Sequence, residues 1–178
     1  MDQAEYEALV RVQEEYLHRV TKRTQFNEKR LREMHLDWLG EIYEWAGTYR
    51  AVELAKGDFR WPPAYLVHGH METLESEFLR KHTPCGRGPL DDVAMAIAKV
   101  HAEFLLIHPF REGNGRLARW LASLMALQAD YPMPEYRFSG RGSVKERERY
   151  LEAVRRGYQK DYEALALFFV EAIDRRRT

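Results

Sequence analysis

His108-Pro109-Phe110-Arg111-Glu112-Gly113-Asn114-Gly115-Arg116-Leu117-Ala118-Arg119 lies between two apolar helical patterns, and its reading decides how the rest of the chain is understood. A histidine leaves an apolar helix just before Pro109, whose ring halts further helix and is expected to hold the preceding residue extended, so an imidazole is set at a fixed point. Gly113, Asn114 and Gly115 then precede a helix start, where unpaired N–H groups and the positive end of the helix dipole make an anion site. Arg116 and Arg119 are three apart on that helix, so both guanidinium groups can reach one side of a bound anion. Two such cations suit a di- or triphosphate. Glu112 beside this cradle is the kind of carboxylate that holds Mg²⁺ next to phosphates. Phe110 is expected to point inward as an apolar anchor. Any one of these features is common in an ordinary helix–turn–helix; their concentration in one short segment is not required by a turn.

Working outward, periodicity predicts helices nearly everywhere. The element after the segment begins near Gly115 and carries Leu117, Trp120, Leu121, Leu124 and Met125 on one face. The one before it, capped by Asp91 or Asp92 and running through Ile107, has so little polar face that it belongs at the centre of the domain. Further upstream, helices are predicted over Gln3 to Arg19, from Asn27 through Tyr43 with Gly47 as its stop, and over Ala64 to Lys81. Between the last two, Tyr49 to Trp61 reads as a short hairpin turning at Lys56-Gly57-Asp58. Two more helices, about Val144 to Arg156 and Asp161 to Arg175, follow Tyr131-Pro132-Met133-Pro134.

With 178 residues, 45% hydrophobic and 31% charged, the chain is the size and composition of one folded domain. Lys plus Arg and Asp plus Glu number 28 each, so no overall field gathers nucleic acid or anionic membrane. The locally basic run from Arg137 to Lys160 reads as a solvated helix face. Cys85 is the single cysteine, which excludes an internal disulfide. Met1-Asp2-Gln3-Ala4-Glu5 shows no secretion signal, and the longest apolar stretch, near Leu117 to Ala129, is short and contains Arg119. A cytoplasmic protein is expected, with no membrane span.

The segment resembles the Fic motif H-P-F-x-[D/E]-G-N-[G/K]-R-x-x-R at every specified position. Leu36-Asp37-Trp38-Leu39 through Tyr43-Glu44-Trp45-Ala46-Gly47-Thr48-Tyr49-Arg50 is similar to the family's upstream helix and its run into a flap hairpin. The resemblance implies an all-α fold, a single Fic-type domain over 1–178 with a β-hairpin flap. Within it, 1–23 would be an N-terminal helix and 24–175 the core. The implied activity is transfer of AMP from Mg-ATP to a Tyr, Thr or Ser hydroxyl of a target protein. In that scheme His108 is the base, Glu112 binds Mg²⁺, and Pro109 and Phe110 shape the loop. The N–H groups of Gly113, Asn114 and Gly115 form the anion hole, with an added donor from the Asn114 side chain. Arg116 and Arg119 take the β- and γ-phosphates, and Val52, Leu54, Lys56 and Gly57 lie on the flap that docks the target as an added strand. Tyr150 and Gly157 fall where the family places part of its adenosine pocket, core packing being the other account of Tyr150. A lysine in place of Gly115 marks the phosphorylating Doc branch, so AMP transfer is favoured; a Doc-like kinase and a nucleotide-binding module without transfer are the alternatives.

Many relatives restrain themselves with a helix bearing (S/T)-x-x-x-E-(G/N). Thr24-Gln25-Phe26-Asn27-Glu28-Lys29 and Thr73-Leu74-Glu75-Ser76-Glu77-Phe78 each fail at the last position. Two expectations follow: a separate small antitoxin supplies the inhibitory helix, or the protein is unrestrained and acts outside the cell that makes it. His68 and His70 are expected on a solvent-facing helix, and His101, seven residues before His108, is expected to pack or support.

Overall fold

The computed structural model describes residues 2–176. Its helices are α1 (Gln3–Arg19), α2 (Glu28–Leu39), α3 (Val67–Leu74), α4 (Arg80–His82), α5 (Leu90–Ile107), α6 (Asn114–Gln128), α7 (Ser143–Gly157) and α8 (Glu163–Asp174). One antiparallel hairpin, β1 (Ala55–Lys56) with β2 (Phe59–Arg60), pairs Ala55 with Arg60 and Lys56 with Phe59. The all-α class with a small hairpin is as expected.

The central helix is α5. Val93, Ala94, Ile97, Ala98, Val100, Phe104 and Ile107 are buried along it, and it packs against α3, α6, α7 and α8. A helix apolar nearly all round can only be stable when covered on every side. The predicted inward face of α6 is buried at Leu117, Trp120, Leu121, Leu124 and Met125. None of the described helices is long and apolar enough to cross a membrane.

Several boundaries differ from the sequence expectation. Pro89, not Asp91 or Asp92, stands at the start of α5; the two carboxylates sit inside its first turn, where their charge favours the positive helix end. Over 64–82 the single helix expected is instead a 3₁₀ turn (Ala64–Leu66), α3, a π turn (Glu75–Leu79) and α4. The second helix stops at Leu39 rather than running to Gly47. After it the chain doubles back, and Gly47, at φ +73°, sits so close to α2 that a Cβ there would lie 2.8 Å from the Leu36 Cβ. Gly47 is thus the point at which the chain docks onto α2.

The basic residues of 137–160 are largely paired. Arg149 meets Glu171, Arg156 meets Asp161, and Lys160 meets Glu103. Gly157 lies where α7 crosses α5, and a Cβ on it would stand 2.6 Å from that of Ala102.

Candidate active site

α5 ends on His108, which adopts a left-handed conformation (φ 51°, ψ 60°) and not the extended one expected before Pro109. The right-handed helical region is disfavoured for a residue before proline, and the left-handed turn closes the helix while aiming the ring back along it. His108 Nδ1 lies 3.0 Å from the Leu105 carbonyl. Facing a carbonyl, that nitrogen must carry the proton, so Nε2 presents a lone pair. Burial, with a contribution from Arg50, pushes the imidazole pKa down to about 4. The Trp61 ring, at the far end of the hairpin, covers the imidazole at 4.2 Å between centroids, and its Nε1 donates to the same Leu105 carbonyl at 3.0 Å.

Gly113 caps the start of α6 at φ +82°, with Trp38 so near that a Cβ would meet it at 2.8 Å. The N–H groups of Asn114 and Gly115 make no hydrogen bond among the described residues, as the first turn of a helix leaves them. The Asn114 side chain does not face this nest. It is buried, accepting from the Phe110 N–H (2.9 Å) and donating to the Phe110 carbonyl (2.7 Å). The extra side-chain donor expected from it is therefore engaged in closing the loop, and only its backbone N–H faces the cradle. Phe110 is fully buried, as expected of an anchor.

The two arginines differ. Arg116 lies over Trp38 at 4.7 Å and pairs with Glu5 (2.6 Å) and Glu112 (3.1 Å). Arg119 has no carboxylate partner among the described residues; it rests against Phe138 and Tyr136 at 5.6 and 5.9 Å, with Nη1 beside Gly115. The Glu112 carboxylate is 62% exposed. Its Oε1 accepts from Gly113 N–H and Arg116, and Oε2 has no hydrogen-bond partner among the described residues. A single outward carboxylate with a vacant oxygen fits Mg²⁺, which takes few protein ligands when phosphates supply the rest. Among the described residues no cluster of three metal-binding side chains exists.

Tyr150 and Gly157, the expected adenosine-pocket residues, are both buried, and core packing accounts for their contacts here. Tyr150 is 3% exposed, with its hydroxyl 2.7 Å from His101 Nε2, and Gly157 serves the close crossing with Ala102. His101 is accordingly a core residue, its other nitrogen meeting the Ala118 carbonyl. His68 is exposed near Glu72 and Glu28. On the flap, Val52, Lys56 and Gly57 are exposed and Leu54 is half-buried.

A family model described as Fic/DOC matches residues 25–126, more than half of the chain. The protein belongs to the Fic/DOC family. Among its relatives, the probable protein adenylyltransferase y4lH of Sinorhizobium fredii is 27% identical over 76% of this chain and 67% of its own length. The protein adenylyltransferase VbhT of Bartonella schoenbuchensis is 26% identical over 60% of this chain, and this chain spans only 22% of VbhT. Among solved structures, the Bartonella tribocorum BepC protein with bound AMPPNP superposes at a TM-score of 0.71 and 18% identity, covering 94% of this chain and 83% of that one. That likeness establishes the Fic fold.

Three residues at the site were not singled out from sequence. Arg50 is buried and donates to the carbonyls of His108, Val52, Pro62 and Ile107, while its own N–H donates to Pro109. It ties both ends of the flap to the histidine loop. His35 is fully buried in α2 between the loop and Gly47. Its place on the apolar face, four after Leu31 and four before Leu39, was the available signal. Glu5 offered none, because its contact with Arg116 spans 111 positions.

Proposed function

We propose that this Fic protein transfers AMP from Mg-ATP to a Tyr, Thr or Ser hydroxyl of another protein. The observation that carries this reading is the His108 tautomer. With Nδ1–H given to Leu105, Nε2 is a neutral acceptor on the same loop as the Asn114 and Gly115 N–H groups, which make no hydrogen bond among the described residues.

The target hydroxyl oxygen forms a bond to the α-phosphorus and its proton passes to His108 Nε2. The bond between the α-phosphorus and its bridging oxygen to the β-phosphate breaks, and pyrophosphate leaves. Backbone N–H groups of Gly113, Asn114 and Gly115 would stabilise charge on the non-bridging oxygens. Arg116 would meet the β-phosphate with the donors not held by Glu5 and Glu112, and Arg119, which has no acidic partner among the described residues, would take the γ-phosphate. Glu112 would hold Mg²⁺, which when bound neutralises phosphate charge. The exposed hairpin, tied to the histidine loop through Arg50, would register the target strand. Gly115 favours AMP over phosphate as the group transferred. Control by a separate antitoxin helix belongs to the same proposal, supported by an Arg119 that no carboxylate of the described chain occupies; an unrestrained enzyme acting outside its cell of origin is the alternative.

The purified protein and His108→Ala are incubated with lysate, Mg²⁺ and ATP labelled at the α- or, separately, the γ-phosphate. Protein-bound α label that disappears in the variant is expected. Label from the γ position alone would establish a Doc-like kinase. ATP binding with no label from either would indicate a nucleotide-binding module.

A further inference from the structure

We propose that His35 is a positioning residue that holds the Glu112–Gly113 peptide with its carbonyl turned into the protein and its N–H turned out toward the nucleotide phosphates. The inference rests on the AMP-transfer reading given above. Gly47 N–H donates to His35 Nδ1 at 2.9 Å, so that nitrogen is the acceptor and the proton sits on Nε2. Nε2–H then donates to the Glu112 carbonyl at 3.1 Å. Phe110 stacks on the imidazole at 3.9 Å with 10° between planes, which sets the ring's orientation. In a trans peptide the C=O and N–H point to opposite sides. A carbonyl captured from below therefore sends the Gly113 N–H the other way, where Glu112 Oε1 accepts it at 2.9 Å, beside Arg116.

Without that bond the peptide has an alternative. Gly113 is a glycine at φ +82°, and glycine permits either orientation of the plane at modest cost. The flipped peptide would present a carbonyl oxygen to the phosphates, replacing a donor by a repelling acceptor, and would leave the buried His35 N–H unpaired. Burial disfavours the charged ring, and the two hydrogen bonds to Gly47 and Glu112 fix which neutral tautomer is present.

Two substitutions separate the two bonds. In His35→Asn the side-chain oxygen replaces Nδ1 and still accepts from Gly47, but nothing reaches Glu112. In His35→Gln the side-chain nitrogen replaces Nε2 and can still donate to the Glu112 carbonyl. Transfer from ATP is measured for each, together with the Gly113 amide resonance on addition of ATP. His35→Asn is expected to lose kcat by about tenfold or more, with KM for ATP changed by less than about threefold, and to lose the ATP-dependent movement of the Gly113 resonance. His35→Gln is expected to recover most of both. A folded His35→Asn with wild-type kcat, or a His35→Gln that falls as far as it, would overturn the proposal, as would failure of both variants to fold. If only His35→Asn unfolds, His35→Gln decides alone: retained kcat supports the role and lost kcat overturns it. If the wild type transfers nothing, the AMP-transfer reading fails by itself. The resonance then carries the test, and equal movement in wild type and His35→Asn overturns the role.

Discussion

Glu5, in the first turn of α1, grips Arg116 of the proposed phosphate cradle at 2.6 Å, with 7% and 16% of the two side chains exposed. Burial raises the Glu5 pKa, but hydrogen bonds from Arg116 and Tyr43 outweigh it and the net position is below the usual carboxylate range. Removing one partner of a pair so enclosed leaves the other short of compensation. Glu5→Gln is expected to lower unfolding stability by about 2 kcal/mol, the size of a lost hydrogen bond to a charged group. In a double-mutant cycle with Arg116→Met, denaturant titration should return a coupling of about 1 kcal/mol or more; additivity within experimental error would mean the contact contributes nothing.

As the base of the proposed mechanism, His108 would set an acid limit on transfer. A base is lost as pH falls through its pKa, and burial holds this one near 4. The rate should therefore stay level on the histidine's account from pH 8 to about 5.5, instead of falling around 6.5 as an exposed histidine would dictate. A tenfold loss of kcat between pH 7 and 5.5, in folded protein, would show that the imidazole titrates near its ordinary value.

The same chemistry sets stability in acid. His35, His101 and His108 are all held neutral by burial, His101 down to about 3. The unfolded chain binds these protons near pH 6.5, so the stability they allow is complete above that pH and is lost as pH falls toward 4. Replacing His101 by Gln should make the decline between pH 6.5 and 4 shallower by about one proton in the slope of stability against pH.

Arg50 gives a prediction about the flap. Its guanidinium reaches carbonyls at both hairpin ends and below the histidine, a fork that lysine cannot copy. Arg50→Lys should speed tryptic cleavage at Lys56 or Arg60 under native conditions by about tenfold, corresponding to ~1.4 kcal/mol of lost local protection. Unchanged cleavage would mean the hairpin is held by other contacts.

Where α5 and α7 cross, Gly157→Ala is expected to cost about 1–3 kcal/mol by forcing two Cβ atoms together. Adding Ala102→Gly should return more than half of that loss. No recovery would place the cost elsewhere than in the contact.

The candidate loop and the family were legible in sequence because their parts are neighbours: His108, Glu112, Gly113 to Gly115 and both arginines lie within one segment. Helices α5 and α6 were legible through their apolar spacing, which burial satisfies at nearly every predicted position. The second helix was overextended because Tyr43 keeps the helical period, whereas the chain turns at Gly40 to bring Gly47 back against Leu36. For Tyr150 and Gly157 the sequence left two accounts open, because an aromatic ring and a glycine serve a binding pocket and a helix crossing equally well; the structure shows both buried. Glu5, Arg50 and His35 act through contacts between distant segments, and periodicity carries no information about those.

The Leu105 carbonyl accepts from His108 Nδ1, from Trp61 Nε1 and, at 3.4 Å, from the Tyr158 hydroxyl. In many enzymes the group that orients a histidine is a carboxylate side chain, which a single codon change can erase. Here it is a main-chain oxygen. Residue 105 could drift among apolar side chains without disturbing the imidazole, and an alanine scan would pass over the orienting atom without registering it.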